Sequence, residues 1–267
     1  MGAMNFTDTL NALPADASTP VAFSIGADWA QGRTVFGGLQ TALAVRGLMG
    51  LAPDDAPLRA LQVTFIAPLP VGEALTLEAQ VLRQGRSATH GEARLRTARG
   101  ESACLVVGVF GRPRASQLQW ATPMPAADDR DAIEPPFIPG VSPSFVQHFR
   151  TRWAAGCLPL SGAARPVSRV WAAHRDPGPL TICHLVALAD VIPTPALSTL
   201  TTQAMASSLT WSLDVLDSDV TFAPDALWRI DAEATDAADG YISQSATLYN
   251  PAGRAAAHAR QTVTVFA

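Results

Sequence analysis

The sequence contains no lysine, because all 19 of its basic residues are arginine. This absence excludes a phosphate-binding loop with its lysine, Schiff-base chemistry such as that of PLP, and the Ser-x-x-Lys acylation motif. The sequence also has no Gly-x-Ser-x-Gly motif. It therefore offers no serine nucleophile of the α/β-hydrolase type.

Cysteine and histidine are too few and too scattered for a metal site. Cys104, Cys157 and Cys183 are odd in number and far apart, so they fit neither a disulfide framework nor a Cys-x-x-Cys site. The five histidines show neither His-x-x-x-His nor His-Glu-x-x-His spacing. We therefore expect no metal and no other cofactor.

Charge is also low, at 16% of residues with a net charge of −4. Nucleic-acid binding needs clustered cations, so we expect no nucleic-acid partner.

No uninterrupted apolar run reaches the roughly 18 residues of a membrane span, and the first ten residues do not form a signal peptide. With 48% hydrophobic residues, the chain is expected to fold around a packed core as a soluble cytoplasmic protein.

A proline-rich segment divides the sequence into two parts of similar length. Prolines interrupt any helix or central strand there, and the segment is too long for an ordinary compact loop. It contains Pro113, Pro123, Pro125, Pro135, Pro136, Pro139 and Pro143. We predict an N-terminal domain at 1–112, a linker at 113–143 and a C-terminal domain at 144–267.

The two halves share one order of elements, an apolar helix followed by four strands. The helix patterns lie at 39–50 and 180–192, and alternating apolar residues predict strands after each of them. These strands are at 58–69, 74–85, 87–97, 102–110, 207–216, 227–235, 241–250 and 258–266, with two further strands at 145–153 and 167–176. Strands grouped after one buried helix predict an α+β fold in which an antiparallel sheet wraps around the helix, and the unit occurs twice.

Several segments resemble the acyl-CoA thioesterase II family, whose members are double-hotdog proteins. In the first half these are VFGGL (35–39), LQVTFIAPLPVGE (61–73) and VLRQGRS (81–87). In the second half ALADVIPTPAL (187–197), SSLTWSLDV (207–215) and HARQTVTVF (258–266) follow in the family's order. The resemblance covers nearly the whole chain outside the linker. It implies hydrolysis of acyl-CoA thioesters and a role in lipid metabolism.

The resemblance also implies three catalytic residues in the second half. By position they are Asp190 after the helix, Ser208 on the following strand and Gln261 on the last strand. Ser208 stands where threonine is commoner, and its neighbour Ser207 is a one-residue alternative. Such a set would activate and hold a water molecule, so the reaction needs no serine nucleophile.

The residues themselves support part of this set. Asp190 is the only ionisable residue in an apolar run from 185 to 193, and burial would change its pKa. The alternative is a carboxylate turned outward at the helix end or bonded to the turn at Thr194. Gln261 shares a strand face with Val263 and Val265, so we expect it to point inward.

Three further residues are candidates for substrate binding. Gly37 and Gly38 would shape a helix start near bound acyl-CoA, or form a simple tight turn. Arg86 would reach a phosphate of CoA, or remain a solvated arginine of a hairpin. We also expect a homodimer, since a hotdog unit leaves an exposed sheet edge.

Two other functions remain open at this point. A hotdog hydratase for acyl-CoA usually pairs an aspartate with a histidine a few residues later, but no histidine follows Asp190 closely. A non-catalytic protein that binds acyl-CoA or lipid would keep the pocket without the chemistry.

Overall fold

A computed structural model describes residues 4–127 and 129–267 of the chain. Residues 1–3, at the start of the first predicted domain, and residue 128, within the predicted linker, lie outside the described residues. The α-helices are α1 (Phe6–Asn11), α2 (Gly37–Met49) and α3 (Ile182–Leu188). Short 3-10 helices cover Ala27–Trp29, Ser144–His148 and Pro195–Thr199.

The described residues contain thirteen strands. In the first half they are β1 (Val21–Phe23), β2 (Ala30–Gln31), β3 (Thr34–Val35), β4 (Leu58–Phe65), β5 (Leu75–Gln84), β6 (Ala88–Arg96) and β7 (Ser102–Gly111). In the second half they are β8 (Phe149–Gly156), β9 (Val167–His174), β10 (Met205–Val215), β11 (Trp228–Ala238), β12 (Tyr241–Tyr249) and β13 (Ala255–Phe266).

Eleven of these strands form one antiparallel sheet, in the order β1-β5-β6-β7-β4-β10-β13-β12-β11-β9-β8. The halves meet where β4 pairs with β10, which places Val63 opposite Trp211 and Leu61 opposite Leu213. All four side chains are buried. At about 1.5–3 kcal/mol for each large apolar side chain, their burial favours one continuous sheet over two separate ones.

Helix α2 lies against β5, β6 and β7 and against α3. Its residues Leu39, Leu43 and Leu48 are fully buried, as expected for a helix that is apolar on most of its surface. The central position of α2 brings its first turn close to the second half of the chain, where it forms part of the candidate site described below.

Helix α3 is shorter than the predicted segment at 180–192. It begins with a capping box between Thr181 and His184 and ends at Leu188, with Ala189 as the C-cap. Pro193 and Pro195 follow closely, and proline disfavours helical backbone at the residue before it. Asp190 therefore lies in a turn just beyond the helix rather than within it.

The strand predicted at 145–153 begins later than expected, because residues Ser144–His148 form a 3-10 helix and β8 starts at Phe149. This turn buries Phe145, whose ring stacks on Phe36 with the centroids 4.1 Å apart. Aromatic packing between the halves therefore stabilises a 3-10 helix where the first residues of the predicted strand would lie.

Between Gly111 and Ser144 the described residues form no helix and no extended strand. Isolated bridges join Pro123 to Arg254 and Ile133 to Trp153, so the segment runs along the second half. No helix within residues 4–127 and 129–267 is long and apolar enough to cross a membrane.

Candidate active site

Asp190 lies at the end of α3 and contacts both halves of the molecule. Its Oδ1 accepts a hydrogen bond of 2.6 Å from Gln261 Nε2 on β13. The backbone N–H of Gly38, in the first turn of α2, lies near enough to the carboxylate to lower its pKa. The side chain keeps some exposure to a cavity although protein surrounds it. The carboxylate therefore joins α2, α3 and β13 at one point.

Burial raises the pKa of Asp190 to about 7, and the hydrogen bond from Gln261 and the nearby backbone N–H of Gly38 partly oppose that rise. Burial disfavours the charged form, whereas donors to the carboxylate stabilise it. A carboxylate with a pKa near neutrality is well matched to accept a proton from water at physiological pH.

Two glycines at the start of α2 allow this close approach. A Cβ atom on Gly37 would lie 2.9 Å from Asp190 Oδ2 and 3.2 Å from Phe65 Cζ. A Cβ atom on Gly38 would lie 3.0 Å from the carbonyl oxygen of Ala187. The first N–H groups of a helix have no acceptor within the helix, and its dipole favours negative charge there. The α2 N-terminus thus brings backbone donors to the site.

Gln261 is 8% exposed and lies opposite Trp211 on one side and Gln244 on the other. Gln244 is not among the site residues predicted from the sequence, although its Nε2 donates a 2.6 Å hydrogen bond to Gln261 Oε1. A sequence pattern does mark this residue. Gln244 lies two residues from Ile242 and four from Leu248 on β12, and both of those are buried, so all three side chains point to the inward face.

Ser208 reaches the inward face of β10 because of a bulge. The register between β10 and β13 shifts between Ser208 and Thr210. Ser208 then pairs with Val263, on the same face of β13 as Gln261, whereas Ser207 pairs with Thr264 on the opposite face. Among the described residues, Ser208 makes no side-chain hydrogen bond to Asp190 or Gln261, and both Ser208 and Ser207 line the cavity.

The cavity beside Asp190 has a volume of about 350 Å³ and lies between the two halves. Its walls are mainly apolar, and Asp190 is the only ionisable residue among the described residues that line it. The wall includes Gly37, Gln40, Phe65, Ile66, Leu197 and Leu209. Such a pocket, with a few converging polar groups, suits an apolar ligand that carries one reactive polar group.

The structure does not bring Arg86 to this cavity. Arg86 lies in the turn between β5 and β6, where its carbonyl accepts a hydrogen bond from Arg112. Backbone bonding of Gly111 to Pro57 places this region at the Leu58 end of β4. The cavity lies at the Phe65 end of that strand, about 20 Å away at roughly 3.3 Å per residue.

A different arginine lies close to the cavity. Arg33 occupies the turn between β2 and β3, flanked by the cavity-lining residues Gln31 and Thr34. Its side chain is exposed, and no ion pair joins it to another described residue.

A large antiparallel sheet that packs over buried helices is the architecture of a hotdog-fold protein. The sequence profile of the acyl-CoA thioesterase N-terminal domain matches residues 25–111. The profile of the acyl-CoA thioesterase C-terminal domain matches residues 121–265. The chain belongs to the acyl-CoA thioesterase family, which confirms the resemblance found in the sequence.

Solved structures support the same fold. A conserved hotdog-fold protein of unknown function from Alicyclobacillus acidocaldarius has 23% identity and a TM-score of 0.82, over 94% of this chain and 97% of that chain. An acyl-CoA thioesterase II from Mycobacterium marinum has 18% identity and a TM-score of 0.72, over 92% and 93%. A search of curated proteins gave no match.

Proposed function

We propose that this protein hydrolyses acyl-CoA thioesters to a free acid and CoA, with Asp190 as the general base. The observation that carries the proposal is the enclosed Asp190 carboxylate, whose pKa is raised to about 7 at the wall of an apolar cavity. Membership of the acyl-CoA thioesterase family supports the same chemistry.

In the proposed reaction a water molecule attacks the thioester carbonyl carbon while Asp190 takes one of its protons. The carbonyl oxygen becomes an oxyanion, and N–H groups of the first turn of α2 stabilise its charge. When the tetrahedral intermediate collapses, the C–S bond breaks and the sulfur leaves with its electron pair. The proton held by Asp190 then passes to the CoA thiolate, which restores the carboxylate.

Gln261 and Ser208 are proposed to hold the attacking water. The amide of Gln261 contacts Asp190 directly, and the hydroxyl of Ser208 belongs to the same face of the sheet and lines the same cavity. A hydroxyl both donates and accepts, so it can fix a water molecule that also bonds to Asp190. This arrangement needs no side chain as a covalent nucleophile.

We further propose that the chain is a double hotdog, with units at 1–112 and 144–267 joined by the linker at 113–143. The packing of α2 on β5, β6 and β7 supports the first unit. The site would then need both units, since Gly37 and Gly38 come from the first and Asp190 and Gln261 from the second. A homodimer, a cytoplasmic location and a role in lipid metabolism remain predictions.

The acyl group would occupy the apolar cavity, and the phosphates of CoA would remain outside it. Arg33 is better placed than Arg86 to meet those phosphates, because it lies between two residues of the cavity wall. An exposed arginine with no ion-pair partner among the described residues can form charge-assisted hydrogen bonds to phosphate.

The test is thiol release from short, long and aromatic acyl-CoAs, with wild type and Asp190→Asn side by side. We expect turnover by wild type and a loss of at least about a hundredfold in the variant. Cys104 and Cys183 are buried and their pKa values are raised to about 12, whereas Cys157 is exposed. A Cys157→Ser background therefore removes most of the protein's own signal from a thiol reagent.

Three results would contradict the proposal. Equal turnover by wild type and Asp190→Asn would exclude Asp190 as the base. Tight binding of acyl-CoA without turnover would indicate a binding protein, and hydration of crotonyl-CoA without thiol release would indicate a hydratase.

A further inference from the structure

We propose that Gln244 is a positioning residue, which fixes the orientation of the Gln261 amide and thereby sets the proton affinity of Asp190. Its kinetic consequences rest on the function proposed above. Among the described residues, Gln244 makes no hydrogen bond to Asp190. It donates to Gln261, which in turn donates to Asp190, so it acts through Gln261.

The geometry forms a chain of two amides ending at the carboxylate. Gln244 and Gln261 are direct cross-strand partners on β12 and β13, so their side chains share one face. Gln244 Nε2 donates to Gln261 Oε1 at 2.6 Å, and Gln261 Nε2 donates to Asp190 Oδ1 at 2.6 Å. Each donor points toward the carboxylate.

This direction matters because a carboxamide can turn over. If Gln261 presented its oxygen to Asp190, two acceptors would face each other unless Asp190 were protonated. Donation by Gln244 occupies the Gln261 oxygen and keeps the Gln261 N–H on the carboxylate. The ionised form of Asp190 is thereby favoured, against the burial that raises its pKa.

Packing does not explain an amide at this position. Gln244 Oε1 is buried and has no hydrogen-bond partner among the described residues. A buried polar atom without a partner destabilises the fold relative to an apolar side chain of similar shape. Methionine is such a side chain, so Gln244→Met should fold at least as stably as wild type. We therefore infer that the amide serves the site and not the packing of the core.

The experiment compares wild type with Gln244→Met and Gln244→Glu. We expect the pKa of Asp190 to rise by about half a unit in Gln244→Met, which leaves Gln261 free to turn, and by a unit or more in Gln244→Glu. An ionised glutamate accepts but does not donate, so it draws the Gln261 N–H away from Asp190. The neutral variant separates this effect from that of an added charge.

The pKa is measured by carboxyl carbon NMR of protein with labelled aspartate, and the acid limb of kcat/KM is measured in parallel. Gln62→Glu is the matched control, because Gln62 lies on β4 with an exposed side chain. We expect kcat to fall about tenfold or more in Gln244→Glu while KM changes less than about threefold.

An unchanged Asp190 pKa in Gln244→Met, with the protein folded, would overturn the inference, and so would an equal shift in Gln62→Glu. The NMR titration gives this answer even if wild type hydrolyses no acyl-CoA. Failure of the proposed function and failure of the positioning role are therefore distinguishable.

Discussion

Gln261 Nε2 and Asp190 Oδ1 lie 2.6 Å apart, although the two residues are separated by 71 positions in the chain. The contact joins the turn after α3 to the last strand of the sheet. Because the amide donates to the carboxylate, it stabilises the charged form of Asp190. The proton affinity of the proposed base thus depends on the position of β13 relative to the turn after α3.

The pH dependence of activity should show the raised pKa of Asp190. The base must be ionised, so kcat/KM is expected to fall about tenfold per pH unit below a midpoint near 7. The measurement is kcat/KM between pH 5 and pH 9 on one acyl-CoA. An acid limb centred near 4, the ordinary aspartate value, would show that burial does not raise this pKa.

Gly37→Ala should damage the site more than the fold. Its Cβ would meet Asp190 Oδ2 at 2.9 Å, so the carboxylate must move, and kcat/KM is expected to fall about tenfold to a hundredfold. Gly47→Ala in the same helix is the control. Its Cβ would meet Ala17 and Leu77 instead, which should lower stability by about 1–3 kcal/mol without changing activity per folded molecule. Equal kinetic losses in the two variants would contradict this prediction.

Ser208→Ala and Ser207→Ala form a matched pair on neighbouring positions of β10. Ser208 shares the face of Gln261, so its loss should lower kcat by roughly tenfold, the effect of one lost hydrogen bond. Ser207 also lines the cavity, but it pairs on the other face of the sheet, so its replacement should change kcat by less than about threefold. The measurement is kcat of both variants on one substrate. A larger loss of kcat in Ser207→Ala would indicate that Ser207, not Ser208, is the serine of the site.

Acid should destabilise the protein through two buried histidines. Burial lowers the pKa of His174 to about 3 and that of His184 to about 4. The nearby charge of Asp176 raises the pKa of His184, but by less than burial lowers it. The unfolded chain takes up protons below the usual histidine pKa of about 6.5, whereas the folded protein does not. The free energy of unfolding therefore falls as pH drops from about 6.5 toward about 4.

The check is thermal unfolding of wild type and His174→Phe at pH 7.5 and pH 4.5. The phenylalanine cannot titrate and suits the aromatic surroundings formed by Phe6 and Phe149. Loss of the bond from His174 Nε2 to the carbonyl of His184 lowers Tm at both pH values, but the variant should lose less Tm on acidification. An identical loss in both proteins would show that His174 does not carry the effect.

Much of the fold could be predicted because apolar alternation marks the ten longer strands directly, although the two- and three-residue strands β1 to β3 are too short to show it. Leu75, Leu77 and Ala79 on β5 are buried in turn, as a half-buried strand requires. The antiparallel sheet was predicted and is confirmed. The late start of β8 was not, because the burial of Phe145 against Phe36 depends on a contact between the two halves.

The candidate site was predictable only in part. Asp190 was identifiable as the one ionisable residue in an apolar run, and Gln261 by its place among inward-facing valines. Gln244 was overlooked because its partner is a residue on the next strand, not one in its own segment. Arg86 was a candidate for binding CoA phosphates, and the sequence does not show which end of β4 its hairpin lies beside.

The sequence by itself determined the family, the order of α2, α3 and the strands β4 to β13, and the side of most of these strands that faces the core; it did not predict α1 or β1 to β3. The family follows from the resemblance of several segments to its members, whereas the order of elements and the side of each strand follow from the spacing of apolar residues. Only the tertiary structure decided that Gln244 meets Gln261, that a bulge turns Ser208 toward the cavity, and that Arg33 rather than Arg86 lies beside it. Register, bulges and strand order are set by the packing of distant segments, and alternation within one strand does not specify them.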